Sequence, residues 1–168
     1  SFNIDNINNL KDIFNVNYYP EGMLFPDTYN FNSGTTDREI IERASSLMQQ
    51  VLAEEWQRSA LDLPFENVYE ALILASIIEK ETAQADERDL IAGVFINRLQ
   101  NNMRLQTDPT VIYGLGSRFD GDLTRDHLQE ITPYNTYRID GLPPTPIALA
   151  GREAIRAALN PDLNNYLY

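Results

Sequence analysis

The stretch Val68–Ile78 constrains the fold of this chain most, because it is hydrophobic on all sides rather than along one stripe. Other elements have to surround such a helix, whereas a surface helix needs only one apolar face. The helical pattern runs from about Asn67 to Ala83, and the charged residues 79–81 follow the apolar stretch directly. The sequence therefore predicts a central buried helix that ends in charged residues.

Further helices should pack around this central helix. Thr36 and Glu39 have the spacing of a capping box, which predicts the start of a long amphipathic helix. Asp108, followed by Pro109, is typical of an N-cap residue at the start of a short helix. Apolar periodicity and capping signals predict the other helices, over Ile4–Phe14, Asp86–Asn101, Arg125–Glu130 and Ala150–Leu159.

Two segments are predicted to be strands. Met23–Phe31 is rich in aromatic residues and interrupted by Pro26, which is typical of an edge strand. In Thr132–Ile139 the character of the side chain alternates along the chain enough to predict a strand. We therefore expect an α+β fold, helix-dominated around a central buried helix, with a small antiparallel sheet. No repeat or long linker divides residues 1–168, so we expect a single domain.

The charge balance excludes some classes of partner. The 168 residues include 25 Asp+Glu against 13 Lys+Arg, for a net charge of −12. Proteins that bind nucleic acid or anionic membranes need clustered basic side chains, so neither is expected as the main partner. The absence of cysteine excludes disulfides, thiol nucleophiles and zinc–thiolate sites. The carboxylates have no metal-ligand spacing, so we expect neither a metal nor another cofactor.

Glu79 is the candidate for catalysis. On a helix it shares a face with Ala75 and Ser76, whose small side chains would leave a hollow beside its carboxyl group. It also lies near the helix C terminus, where the helix dipole disfavours a negative charge. Shielding from water and the dipole would both favour the protonated form that a general acid needs. The alternative is that Glu79 only ends a core helix and pairs with Lys80 or Arg98, and the residues alone favour it, because a glutamate in the last turns of a helix is common.

Residues 75–82, which contain Glu79, resemble the signature of the endolytic murein transglycosylase (YceG-like) family. Five other blocks resemble the same family in the same order along the chain: Glu21–Tyr29, Val94–Leu99, Met103–Gly114, Thr132–Tyr137 and Gly141–Pro144. Six ordered blocks are far more specific than any single motif, and the resemblance as a whole extends over nearly the whole chain.

The resemblance implies a cell-wall enzyme on the periplasmic, extracytoplasmic face of the inner membrane. Residues 1–168 would be a single catalytic domain cut from a longer protein with one N-terminal membrane helix. That anchor, most of a LysM-like subdomain and a C-terminal family segment would lie outside these residues. The implied partners are peptidoglycan glycan strands and cell-wall synthases, and the membrane is reached only through the anchor.

The resemblance also implies a lyase-type reaction. The family cleaves the bond between N-acetylmuramic acid (MurNAc) and N-acetylglucosamine (GlcNAc) within glycan strands and leaves 1,6-anhydro-MurNAc ends, which would limit strand length. The family's glutamate matches Glu79, which would protonate the glycosidic oxygen and then accept the proton of the C6 hydroxyl. Ordinary glycosidases need two carboxylates, but here the substrate supplies the nucleophile. Glu81 and Asp108 are possible second carboxylates, but Glu81 points away from Glu79 on a helix and Asp108 is better explained as a cap, so structural roles are expected for both.

Six residues are candidates for sugar contacts, because their flat faces, amides or hydroxyls suit sugar rings and N-acetyl groups. They are Gln106, Thr107, Tyr134, Asn135, Thr136 and Tyr137. The alternative is that alternate residues of the Thr132–Ile139 segment pack into the core and contact no sugar.

Two other functions stay open. One is a non-catalytic module that binds peptidoglycan or scaffolds the cell-wall synthesis machinery. The other is the aminodeoxychorismate lyase activity that has been attributed to this family, which would require a Schiff-base lysine and a phosphate-binding loop. Lys11 and Lys80 are the two lysines of the chain, and no glycine-rich loop lies near Lys80, so the sequence favours this function least.

Overall fold

A computed structural model describes residues 20–162 and 166–167 of the chain. This part of the chain contains six α-helices: α1 Asp37–Trp56, α2 Val68–Glu81, α3 Arg88–Gln100, α4 Asp108–Leu115, α5 Arg125–Gln129 and α6 Arg152–Leu159. Short 3-10 turns occur at Ala85–Glu87, before α3, and at Gly116–Arg118, after α4. The predicted N-terminal helix Ile4–Phe14 lies outside the described residues.

Helix α2 is the centre of the fold, as predicted. Every residue from Ala71 to Ile78 is buried, and α1, α3, α4 and α6 all pack against this helix. The Ser76 hydroxyl donates to the Ile73 carbonyl (2.7 Å) and accepts the backbone N–H of Ile147 (2.9 Å). The one polar side chain in the buried run is therefore satisfied, and it attaches the segment before α6 to the central helix.

The predicted capping box at the start of α1 is confirmed. Thr36 is the N-cap, its side chain accepts the Glu39 N–H, and the Glu39 carboxylate accepts the Thr36 N–H. The Phe25 N–H donates to the Ala44 carbonyl at 3.1 Å, which holds the preceding segment against α1. The predicted N-cap role of Asp108 is wrong by one residue, since Thr107 is the N-cap and Asp108 is the first residue of α4.

The predicted antiparallel sheet is wrong, since no strand occurs in residues 20–162 or 166–167, and the described fold is helical rather than α+β. The Met23–Phe31 segment forms no regular element, and its Phe25 N–H bonds to a helix carbonyl rather than to another strand. The Thr132–Ile139 segment folds into consecutive turns, in which the Asn135 N–H donates to the Thr132 carbonyl. The Asn135 carbonyl in turn accepts the N–H groups of Arg138 and Ile139. The alternation of side chains in the Thr132–Ile139 segment is therefore produced by turns and does not indicate a strand.

In the same residues, no helix is both long enough and apolar enough to cross a membrane.

The loop around Gly22 generates the first testable prediction. Gly22 has a φ of +75°, and a Cβ atom there would lie 2.5 Å from the Cβ of Pro146. Because alanine would be strained in its backbone and would also clash, we expect Gly22→Ala to lower the free energy of unfolding by about 2–4 kcal/mol. Urea denaturation followed by circular dichroism measures this change.

Gly34→Ala is the matched control. Gly34 also has a positive φ, +95°, but a Cβ atom there would meet nothing within 4 Å. This variant should lose only the backbone contribution of about 1–2 kcal/mol. Equal losses in the two variants would contradict the close packing of Gly22 on Pro146.

Candidate active site

Glu79 lies in the last turn of α2, where the buried part of the helix meets solvent. Its side chain is 29% exposed, between a buried Ile78 and an exposed Lys80. Its Oε2 atom accepts a hydrogen bond from the backbone N–H of Gly151 at 3.0 Å. The carboxyl group is therefore accessible to a ligand and is held in place by an amide of a distant segment.

Gly151 is the N-cap residue of α6, so the carboxylate of Glu79 lies at the N terminus of that helix. The N terminus of a helix carries partial positive charge and stabilises a nearby anion. The expectation from sequence considered only the C-terminal dipole of α2 itself. The packing of α6 against α2 adds a positive contribution to the electrostatic potential at Glu79, opposite in sign to that of the α2 dipole.

The ion-pair partner of Glu79 is Arg88, whose Nη2 atom lies 3.7 Å from Oε1 of Glu79. Arg88 is the first residue of α3, its side chain is 15% exposed, and it was not among the partners expected from sequence. Of those, Lys80 is exposed, and Arg98 donates to the backbone carbonyls of Leu105 and Leu167. The break between the two predicted helices could have indicated this pairing, because a turn there brings the start of α3 back to the end of α2.

The turn between α2 and α3 is fixed by its own side chains. The Thr82 hydroxyl donates to one carboxylate oxygen of Glu87 at 2.8 Å, and the Gln84 amide donates to the other at 2.8 Å. The Thr82 hydroxyl also accepts the backbone N–H of Gln84. This network sets where α3 begins and thereby places Arg88 beside Glu79.

Glu81 forms a second network with threonine residues. The Thr107 hydroxyl donates to Glu81 at 2.7 Å, and the Thr107 backbone N–H donates to the Thr136 hydroxyl. The hydroxyls of Thr110 and Thr136 are 2.9 Å apart, and Thr107, Thr110 and Thr136 are all buried. Glu81 therefore ties the end of α2 to the start of α4 and to the 132–139 turns, which agrees with its expected structural role.

Asn135 supports the 132–139 turns from inside. Its side-chain amide donates to the carbonyls of His127, Leu128 and Glu130, and its Oδ1 accepts the backbone N–H of Tyr137. The residue is 1% exposed. All the polar atoms of this side chain are used within the protein, so none is left for a sugar.

Tyr137 donates its hydroxyl to the Asp108 carboxylate at 2.7 Å. Burial raises the pKa of Tyr137 to about 12, and the Asp108 carboxylate and then the Glu81 charge add to the effect. Asp108 therefore has a structural partner, although it is not the N-cap.

Tyr134 belongs to a separate cluster of polar and aromatic groups. Its hydroxyl lies 2.8 Å from the Thr145 hydroxyl, and its ring lies 4.9 Å from the ring of Tyr113. Burial, followed by the charge of Glu21, raises the pKa of Tyr113 to about 12. The cluster joins the 20–25 loop, α4, the 132–139 turns and the segment before α6.

Gln106 differs from the other sugar-contact candidates because it is exposed and strained. Its φ is +52°, and its backbone N–H donates to the Thr136 carbonyl at 3.1 Å. A non-glycine residue with a positive φ is uncommon and is found most often where a loop has a functional reason to adopt it.

In residues 20–162 and 166–167, no three histidine or acidic side chains are placed to hold a metal ion.

Comparison with known proteins gives consistent matches. A model of the YceG-like family matches residues 3–168. A Bacillus subtilis protein named endolytic murein transglycosylase is 44% identical over 160 residues, covering 94% of this chain and 44% of that protein. A Streptococcus pneumoniae D39 protein of the same name is 34% identical over 155 residues, covering 90% of this chain and 28% of that protein. The chain therefore spans less than half the length of these relatives.

A solved structure is also similar. A crystal structure of a YceG-like protein from Listeria monocytogenes superposes with a TM-score of 0.78 and is 32% identical in sequence. The match covers 99% of this chain and 57% of the crystallised one.

The contacts of Asn135 generate the second prediction. Asn135→Ala removes an amide group that contacts three carbonyls and accepts the Tyr137 N–H, and it should lower the free energy of unfolding by about 3 kcal/mol. Urea denaturation measures the loss. Asn101→Ala is the control, since the exposed Asn101 amide makes one bond, to the Asn97 carbonyl, and should cost less than about 1 kcal/mol. A fully stable Asn135→Ala protein would contradict the supporting role.

The raised pKa of Tyr137 generates the third prediction. Between the ordinary pKa of 10.0 and about 12, the unfolded state loses the phenol proton while the folded state keeps it. The contribution of the Tyr137 phenol to the free energy of unfolding is therefore complete below pH 10 and falls as the pH rises toward 12. The melting temperature of Tyr137→Phe should fall less steeply over this range than that of the wild type.

Tyr113→Phe provides an independent comparison, since the pKa of Tyr113 is also raised to about 12. The double variant should show the shallowest pH dependence. Identical slopes for the wild type and all the variants would contradict the shifted titration of these phenols.

Proposed function

This chain belongs to the YceG-like family, and from that premise we propose that it is a lytic transglycosylase of peptidoglycan. It cleaves the β-1,4 bond between MurNAc and GlcNAc within glycan strands and leaves 1,6-anhydro-MurNAc ends. The relatives from Bacillus subtilis and Streptococcus pneumoniae, both named endolytic murein transglycosylase, support the reaction class. The observation that carries the proposal is the partly exposed Glu79 carboxyl, held by a backbone amide and flanked by an arginine.

Glu79 acts first as an acid and then as a base. Its proton passes to the glycosidic oxygen as the bond from that oxygen to C1 of MurNAc breaks, which releases the GlcNAc 4-hydroxyl. The MurNAc C6 oxygen then bonds to C1, and the C6 hydroxyl proton returns to the Glu79 carboxylate. The glutamic acid is regenerated and no water is consumed, so a single carboxyl group performs both transfers.

The anchoring of Glu79 fits this double role. Efficient proton transfer requires an acid within hydrogen-bond reach of the reacting oxygen in a defined orientation. The bond from the Gly151 N–H restricts rotation of the carboxyl group. The 29% exposure leaves part of it open to a glycan strand.

The proposed sugar-contact residues divide by their burial. Gln106 is exposed, and Tyr134 and Tyr137 are partly exposed, so their side chains are the ones able to contact sugar rings and N-acetyl groups. Thr107, Asn135 and Thr136 are buried and act by holding the loops that carry them. Binding is therefore proposed to depend on short-range stacking and hydrogen bonding.

We propose further that the protein acts outside the cytoplasm beside cell-wall synthases and limits the length of nascent strands. Peptidoglycan is extracytoplasmic, so an enzyme that cleaves it has to reach it there. A membrane anchor in the longer protein would hold the domain close to new strands.

The fourth prediction tests Glu79. Glu79→Gln keeps the size of the side chain but cannot donate a carboxylic proton, so we expect anhydro-ended products to fall at least about 10²-fold. Purified glycan strands are incubated with the protein, and the ends are identified by chromatography and mass spectrometry of the digest.

Glu70→Gln is a matched control. Glu70 lies on the same helix, and its carboxylate also accepts a backbone N–H, that of Glu66, at 2.8 Å. Glu70→Gln should keep wild-type activity. Cleavage by Glu79→Gln at the wild-type rate would refute the assignment, and strand binding without cleavage by the wild type would favour the non-catalytic module.

A further inference from the structure

We propose that Arg88 is a positioning residue for Glu79: its guanidinium faces the oxygen that carries the catalytic proton and stabilises the carboxylate that proton transfer creates. The inference rests on the proposed function, since it concerns how the same carboxyl group works. It adds a second side chain to the proton-transfer step.

The two oxygens of Glu79 have different environments. Oε2 accepts the Gly151 N–H at 3.0 Å, whereas Oε1 lies 3.7 Å from Nη2 of Arg88, which is beyond hydrogen-bond distance. An N–H donor already pointing at Oε2 disfavours a proton on that oxygen. The transferable proton therefore belongs on Oε1, which faces Arg88 and is not bonded to it.

Arg88 is held beside Glu79 at an energetic cost. Its side chain is 15% exposed, and its Nε atom is buried without a hydrogen-bond partner in the described residues. Buried donors without partners are rare in native proteins, and each needs an explanation. A role for the guanidinium in the reaction explains why the fold keeps it there.

The neighbouring acidic residue does not compete for Arg88. The two carboxylate oxygens of Glu87 accept hydrogen bonds from Thr82 and Gln84. The same bonds fix the turn that places Arg88 at the start of α3. The turn therefore both positions the guanidinium and leaves Glu79 as its acidic neighbour.

This arrangement favours proton transfer because charge develops on Glu79 during the step. Protonated Glu79 is neutral and interacts weakly with the guanidinium. Once the proton has passed to the glycosidic oxygen, the carboxylate is negative and interacts strongly with it. An interaction that strengthens as the reaction proceeds lowers the barrier instead of only tightening substrate binding.

The fifth prediction concerns Arg88→Gln and Arg88→Lys. We expect Arg88→Gln to lower kcat for anhydro-end formation about 10²-fold with KM changed less than about twofold. Arg88→Lys keeps a positive charge and should recover part of the lost kcat. Rates are measured on soluble, uncrosslinked glycan strands at several concentrations.

Arg38→Gln is the control. Arg38 pairs with Glu42 on the surface of α1. The end of α1 nearest the site is marked by Glu55, which binds Arg152, the residue after Gly151. Arg38 lies 17 residues before Glu55 on this helix. Arg38 is therefore about 26 Å along α1 from the end nearest the site, and its loss should leave kcat unchanged.

A double variant separates positioning from folding. In the Glu79→Gln background, Arg88→Gln should lower the residual rate by less than about twofold, because its effect passes through Glu79. A wild-type kcat in Arg88→Gln, or a loss confined to KM, would overturn the inference. If Arg88→Gln does not fold, Arg88→Lys decides: a reduced kcat with unchanged KM supports the inference, and a wild-type kcat overturns it.

The outcomes also separate this inference from the proposed function. If the wild type releases no anhydro ends, the proposed function fails. If the wild type and Glu79→Gln behave as expected while Arg88→Gln keeps the wild-type kcat, only the role of Arg88 fails.

Discussion

The burial of α2 is the constraint on which the rest of the structure depends. A helix that is apolar on all sides loses its hydrophobic stabilisation wherever it faces water, so it needs neighbours all around it. Four other helices and the segment before α6 supply them. Solvent reaches this helix at its charged C-terminal turn, and Glu79 lies at that boundary. The requirement to bury the core therefore places the carboxyl group where a substrate can reach it.

The segment before α6 joins the core to the site. Its Ile147 N–H donates to Ser76, and the Gly151 N–H donates to Glu79, three residues further along the same helix. Residues three apart on a helix share a face, so these two bonds lie along one line of contact. Packing that satisfies the buried serine thus also orients the carboxyl group. Stability and the geometry of the site depend on the same surface of α2.

The elements that could be predicted from the sequence are those with local causes. The central helix and the Thr36 capping box follow from periodicity and from residues three apart. The Thr132–Ile139 strand was wrong because the Asn135 side chain bonds to three carbonyls between residues 127 and 130, which alternation does not reveal. Glu79 was found as a candidate, but its partners are 9 and 72 residues away along the chain, Arg88 and Gly151. Such partners are set by how helices pack, and a local pattern cannot identify them.

The net charge of −12 does not describe the electrostatic environment of Glu79. Peptidoglycan peptides also carry carboxylates, so the whole-chain charge gives no long-range attraction to such a polymer. Exposed charges are largely screened beyond about 8 Å at physiological ionic strength, whereas partly buried groups in contact are screened much less. Arg88 and the N terminus of α6 both lie against Glu79, and each contributes positive potential at its carboxyl group. The site can therefore stabilise a carboxylate within a domain that is acidic overall.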